Sequence, residues 1–93
     1  MGLRLVRAVG NSMAPRLPNG SYALFRNARR VSVGDTVLAD HPRFGAIIKT
    51  VTAVHGGGVE LAGADPRSTA AERLGPLPKS AVRAKLVCVL HRA

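Results

Sequence analysis

Two residues stand where nucleophilic chemistry could be done. Ser12 lies in Gly10-Asn11-Ser12-Met13-Ala14-Pro15-Arg16-Leu17, directly after a stretch that alternates like a strand. A serine in such a turn is held at an exposed edge, although serine is also ordinary turn chemistry. Lys49 lies inside Ile47-Ile48-Lys49-Thr50-Val51. Strand alternation puts Ile47, Lys49 and Val51 on one face and Ile48, Thr50 and Thr52 on the other. If Ile48 marks the buried face, Lys49 snorkels to solvent. If Lys49 is enclosed between Ile47 and Val51, its ammonium is desolvated and its pKa falls. A neutral amine beside a hydroxyl is a general base, and a Ser-Lys pair then cleaves acyl bonds without histidine.

The elements that must position these residues are short strands. Leu3–Val9, Ser21–Arg26, Thr36–Ala39, Ala46–Val54, Val59–Ala62 and Val82–His91 read as strands. Asn19-Gly20, Val33-Gly34-Asp35 and Gly56-Gly57-Gly58 punctuate them, and the last of these predicts a hairpin. Gly63–Pro78 reads as loop, with one helical turn at Thr69–Arg73. Many short strands with turns between them predict an all-β, antiparallel, barrel-like domain spanning residues 1–93. A chain of 93 residues supports one thin core.

Composition narrows the function. The chain carries 14 Lys+Arg against 5 Asp+Glu, a net charge of +9. That balance invites a basic β-barrel that binds nucleic acid. The basic residues are scattered, however, with one cluster at Arg26, Arg29 and Arg30, and the aromatics are only Tyr22, Phe25 and Phe44. That is few for a base-stacking platform, so no nucleic-acid partner is expected. The single Cys88 sits in Leu86-Val87-Cys88-Val89-Leu90 and reads as a small buried hydrophobe. His41, His55 and His91 lie far apart in sequence, so neither a metal nor another cofactor is expected. No apolar run approaches the length of a membrane span, and charges interrupt the apolar N-terminus. The chain therefore reads as soluble and cytoplasmic, which leaves peripheral contact with a membrane surface open.

Taken together, the motifs resemble a family. Ser12-Met13-x-Pro15-x-Leu17 followed by Gly20 is similar to the serine box of type I signal peptidases and the related LexA-type self-cleaving peptidases. Gly34-Asp35-x-Val37 ahead of Ile47-Ile48-Lys49-Thr50-Val51 is similar to their lysine box. Leu61-Ala62-Gly63-Ala64-Asp65-Pro66, with Ser68, Thr69, Arg73, Gly75-Pro76 and Leu77, resembles a worn third box. The three occur in family order from about Val9 to Val89.

The resemblance implies a serine endopeptidase of LexA/signal peptidase fold with a catalytic Ser12–Lys49 dyad. It implies a hydroxyl from the third box that orients the lysine: Thr69 when Gly63 and Arg73 are matched, with Ser68 one residue off. Thr69-x-x-Glu72 is also a capping box that would start the short helix. Many relatives hold the oxyanion with a hydroxyl two residues before the serine. Gly10 stands there, so the backbone at Ser12 and Gly10 is left to supply that role. Small pockets near Met13 and Ile47 would select the residues before the cut, with the substrate bound as an extended strand.

The third box departs from the family. Ala70-Ala71-Glu72-Arg73 replaces its Asp-Ser-Arg run, and Ala64 replaces its aspartate after glycine. A degenerate peptidase serving as an interaction module is therefore a competing reading. With no anchoring helices and no DNA-binding domain evident, the chain is similar to the small soluble members. The group that matures nickel-type superoxide dismutase, by removing an N-terminal leader or propeptide, fits it best.

Overall fold

A computed structural model describes residues 2–8, 20–28, 30–63 and 74–90. These residues form seven strands: β1 (Leu3–Arg7), β2 (Tyr22–Asn27), β3 (Thr36–His41), β4 (Gly45–Val54), β5 (Gly58–Ala62), β6 (Leu77–Pro78) and β7 (Val82–Leu90). A 3-10 turn at Lys79–Ala81 leads into β7. All pairings are antiparallel, in one sheet of order β1-β2-β7-β3-β4-β5-β6. The antiparallel all-β architecture expected from the strand spacing is the one that forms.

Each expected strand appears, with ends shifted by a few residues. Val9 and His91 lie outside the described residues, as does the helical turn expected at Thr69–Arg73. The stretch Gly63–Pro78, read as loop, ends in β6. Pro78 has no N–H to offer a ladder, and proline is accepted in sheets only at edges. β6 accordingly pairs for two residues, Gly58 with Pro78 and Val59 with Leu77. The approach is close: a Cβ on Gly58 would sit 2.8 Å from the Leu77 carbonyl oxygen.

The single core expected from chain length is two clusters on opposite faces of the β3–β4 pair. Ala8, Ala23, Phe25, Leu38 and Ala84 form the first, with Ile48, Leu86 and Val89 packed against it. Val37, Ala39, Val51, Val59, Leu61, Leu74 and Leu77 form the second, with Ile47 and Val82 against it. Alternation along β3 explains the division, since Leu38 points one way and Val37 and Ala39 the other. Burying side chains such as Phe25 and Leu61 contributes about 1.5–3 kcal/mol each.

β7 serves both clusters because it bulges. Leu38 pairs with Ala84 but Ala39 pairs with Val82, so Arg83 is the extra residue. A bulge spends one residue without a partner, so Val82 and Ala84 face different clusters despite their even spacing. A second shift leaves Val87 extra, because Leu24 pairs with Cys88 and Phe25 with Leu86. The side chain expected to be buried at Cys88 is therefore exposed. Leu86 and Val89 take the core-facing places, while Val87 and Leu90 are exposed with Cys88.

Candidate active site

The lysine of the expected dyad is enclosed. Lys49 is 6% exposed, in the middle of β4, between half-buried Ile47 and buried Val51. The face carrying Lys49 is the one that packs into the second cluster, so snorkelling is not what this side chain does. Burial pushes its pKa below the ordinary 10.5, because an apolar surround penalises the ammonium and not the free amine. Among the described residues no carboxylate forms an ion pair with it.

The Gly34-Asp35 turn holds this strand. Gly34, at φ 97°, donates its N–H to the Val51 carbonyl oxygen at 2.8 Å, and Val51 donates back to the Asp35 carbonyl oxygen at 2.8 Å. A side chain at that φ would be strained, which suits glycine. The turn is in turn fixed by the Asp35 carboxylate, which accepts from the Ser32 N–H at 2.7 Å and lies 3.2 Å from Lys85 Nζ. Burial raises the Asp35 pKa, but the Ser32 N–H and the Lys85 ammonium outweigh it and hold the carboxyl below its ordinary value. Further along, Thr52 is the extra residue of a bulge against β5, and its Oγ1 donates to the Glu60 carbonyl oxygen at 3.2 Å. A lysine on a strand clamped from both sides has a defined position.

Ser12, Gly10 and Met13 lie outside the described residues, and so do Ser68 and Thr69. The residues that bound their segments are described. Ala8 and Gly20 enclose the serine segment and close the β1–β2 ladder, Ala8 N–H to Ser21 O at 2.8 Å and Gly20 N–H to Ala8 O at 2.7 Å. Gly63 and Leu74 enclose the third-box segment. Leu74 is buried in the second cluster, and its carbonyl oxygen receives the Nε2–H of His41 at 2.7 Å. That oxygen only accepts, so Nε2 carries the proton and Nδ1 is left to accept. It does so from the N–H groups of Arg43 and Phe44, at 3.0 and 3.3 Å, which shapes the β3–β4 turn.

In the sequence, Asp35 reads as part of a turn and His41 as one of three widely spaced histidines. Nothing there singles out Lys85. The partner of each is remote, Lys85 for Asp35 and Leu74 for His41, and only strand pairing brings them together.

The family model described as Peptidase S24-like matches residues 2–83 of the chain. No curated protein matches it.

Proposed function

Because the chain belongs to the peptidase S24-like family, we propose that it is a serine endopeptidase in which Ser12 is the nucleophile and Lys49 the general base. The observation that carries this reading is the enclosure of Lys49 on an apolar sheet face, with its ammonium disfavoured by burial. An amine that loses its proton readily is suited to accept one from a serine hydroxyl.

In this mechanism Ser12 Oγ attacks the scissile carbonyl while Lys49 Nζ takes the hydroxyl proton. Backbone N–H groups at Ser12 and Gly10 stabilise the oxyanion. Collapse of the tetrahedral intermediate breaks the C–N bond, and Lys49 returns the proton to the leaving amine. Water activated by the same amine then hydrolyses the acyl-enzyme. Thr69, or its neighbour Ser68, orients Lys49 through its hydroxyl. The substrate is a protein segment bound as an extended strand beside the serine segment, with Met13 and Ile47 shaping pockets that take small side chains. No cofactor enters any step.

The substrate we propose is the N-terminal leader or propeptide of a protein precursor, and the candidate precursor is that of nickel-type superoxide dismutase. The test is incubation of that precursor with the wild-type chain, Ser12→Ala and Lys49→Ala, followed by mass spectrometry. A single cut made only by the wild-type chain supports the reading. Binding without cleavage would move the chain to the interaction-module reading, and affinity for nucleic acid that falls steeply with salt would favour the basic-barrel reading.

A further inference from the structure

Lys49 is not the only lysine in its row of the sheet. Val37 pairs with Lys49 on one side and with Lys85 on the other. Directly paired residues point to the same face, so the two lysines flank one buried valine. With strands about 4.8 Å apart, their Cα atoms are about 10 Å from each other. Their charges are treated differently. Lys85 has the Asp35 carboxylate at 3.2 Å, and both side chains are about three-quarters buried, at 27% and 26% exposed. Lys49 has no such partner among the described residues.

Asp35 also ties three elements around Val37. Its backbone accepts from Val51 of β4, two residues from Lys49. Its carboxylate accepts from Ser32 in the turn and meets Lys85 of β7. We propose that Asp35 and Lys85 are a positioning pair for Lys49: together they present a near-neutral neighbour, and removal of either leaves a net charge that biases the proton on Lys49. The inference rests on the reading of Lys49 as general base for its functional meaning, but not for its electrostatics.

Among the described residues, the other charged and titratable groups near this face do not duplicate the pair. β3 adds His41, whose Nε2–H is given to Leu74 O. β5 adds the apolar Val59 and Leu61, whereas Glu60 pairs with His55 of the segment after β4 at 2.6 Å. β2 adds Arg26, the register partner of Lys85, which is exposed and one strand further away. At that distance solvent and salt screen its charge.

The two members act with opposite sign. In Asp35→Asn, the Lys85 ammonium is uncompensated and opposes a second positive charge, so Lys49 releases its proton at lower pH. In Lys85→Met, the Asp35 carboxylate is uncompensated and favours the ammonium, so Lys49 holds its proton to higher pH. A unit charge at about 10 Å, in surroundings between protein-like and water-like, moves a titration by about 0.3–1 pH unit.

The test is an NMR titration of the lysine Cε and Hε resonances in the full chain, with Lys49 identified by its loss in Lys49→Met. The expected result is a Lys49 midpoint displaced downward in Asp35→Asn, upward in Lys85→Met, and returned near wild type in the double variant. Two unmoved midpoints, or two displaced in the same direction, would overturn the proposal. Should Asp35→Asn fail to fold, Lys85→Met and Lys85→Gln carry the test, because their expected upward displacement is as specific. The pH profile of precursor cleavage should move with the midpoint. Displaced midpoints without any cleavage would spare this inference and sink the peptidase reading, while cleavage with unmoved midpoints would do the reverse.

Discussion

His41 Nε2 donates to the Leu74 carbonyl oxygen at 2.7 Å, across 33 residues of chain. The bond joins the β3–β4 turn to the end of the segment that carries Ser68 and Thr69. Both partners are buried, and the ring also lies 4.8 Å from that of Phe44. His41→Phe keeps an aromatic ring but deprives one carbonyl and two N–H groups of their partner. Leaving a buried polar group unpaired costs about 1–3 kcal/mol. The expected loss is therefore about 2–3 kcal/mol, read as a lower urea midpoint at unchanged slope. A variant as stable as wild type would remove this bond from the account of how Leu74 is held.

Lys49→Met should stabilise the protein. The folded-state pKa of Lys49 is pushed below the ordinary 10.5 by burial. Below the folded value both states hold the proton, and the native state bears the whole cost of the buried ammonium. Between the folded value and 10.5 the unfolded state binds more protons, so wild-type stability rises with pH across that window. Methionine fits the same apolar neighbours without charge. The expected gain at pH 7 is about 1–2 kcal/mol, or roughly 4–16 °C in Tm for a domain of this size. It should shrink as pH approaches 10.5. Thermal melts of both proteins from pH 6 to 10.5 check this, and a gain that grew with pH would contradict the assigned cause.

Local pattern made much of this legible. Alternation in Ile47-Ile48-Lys49-Thr50-Val51 named the two faces of β4, and the Gly34-Asp35 dipeptide named a turn, because both signals are carried by adjacent residues. Which face of β4 is buried was not decided there. That depends on the cluster that Val51 joins with Val37, Leu61 and Leu74, which strand order assembles. Cys88 misled for a related reason. An apolar run reads as buried on both faces, but the bulge at Val87 and the lack of cover over Leu90 leave one face exposed. Bulges have no residue signature of their own in β7. The pairing of Lys85 with Asp35 was equally invisible, since it needs β7 inserted between β2 and β3.

Asp35→Asn should destabilise at neutral pH but not in acid. Burial raises the Asp35 pKa, yet Ser32 N–H and Lys85 outweigh it and set the folded value below the ordinary 3.8. A depressed carboxyl contributes stability that is fully present above the unfolded pKa and lost as pH falls through the folded one. The carboxylate is about a quarter exposed, so its contribution is modest, about 1 kcal/mol at pH 7. Urea unfolding at pH 7 and at pH 2–3 measures the difference. The gap between variant and wild type should close at the acid end, and an equal gap at both would assign the loss to the turn backbone instead.

Lys49→Arg distinguishes a general base from a positive charge. Arginine keeps the charge, but its guanidinium stays protonated below about pH 12. A reaction that needs a neutral amine at Lys49 therefore stops, with precursor cleavage reduced by at least about 10³-fold. Ser12→Ala should do the same, and the double variant should be little worse than either single one, because the two residues act in one step. In the wild-type chain kcat/KM should rise with pH along a limb centred below 10.5, as the free amine of the desolvated lysine becomes populated. The Arg variant should show no such limb. Cleavage by Lys49→Arg at more than about a tenth of the wild-type rate would show that charge alone is enough and would remove Lys49 from the chemistry.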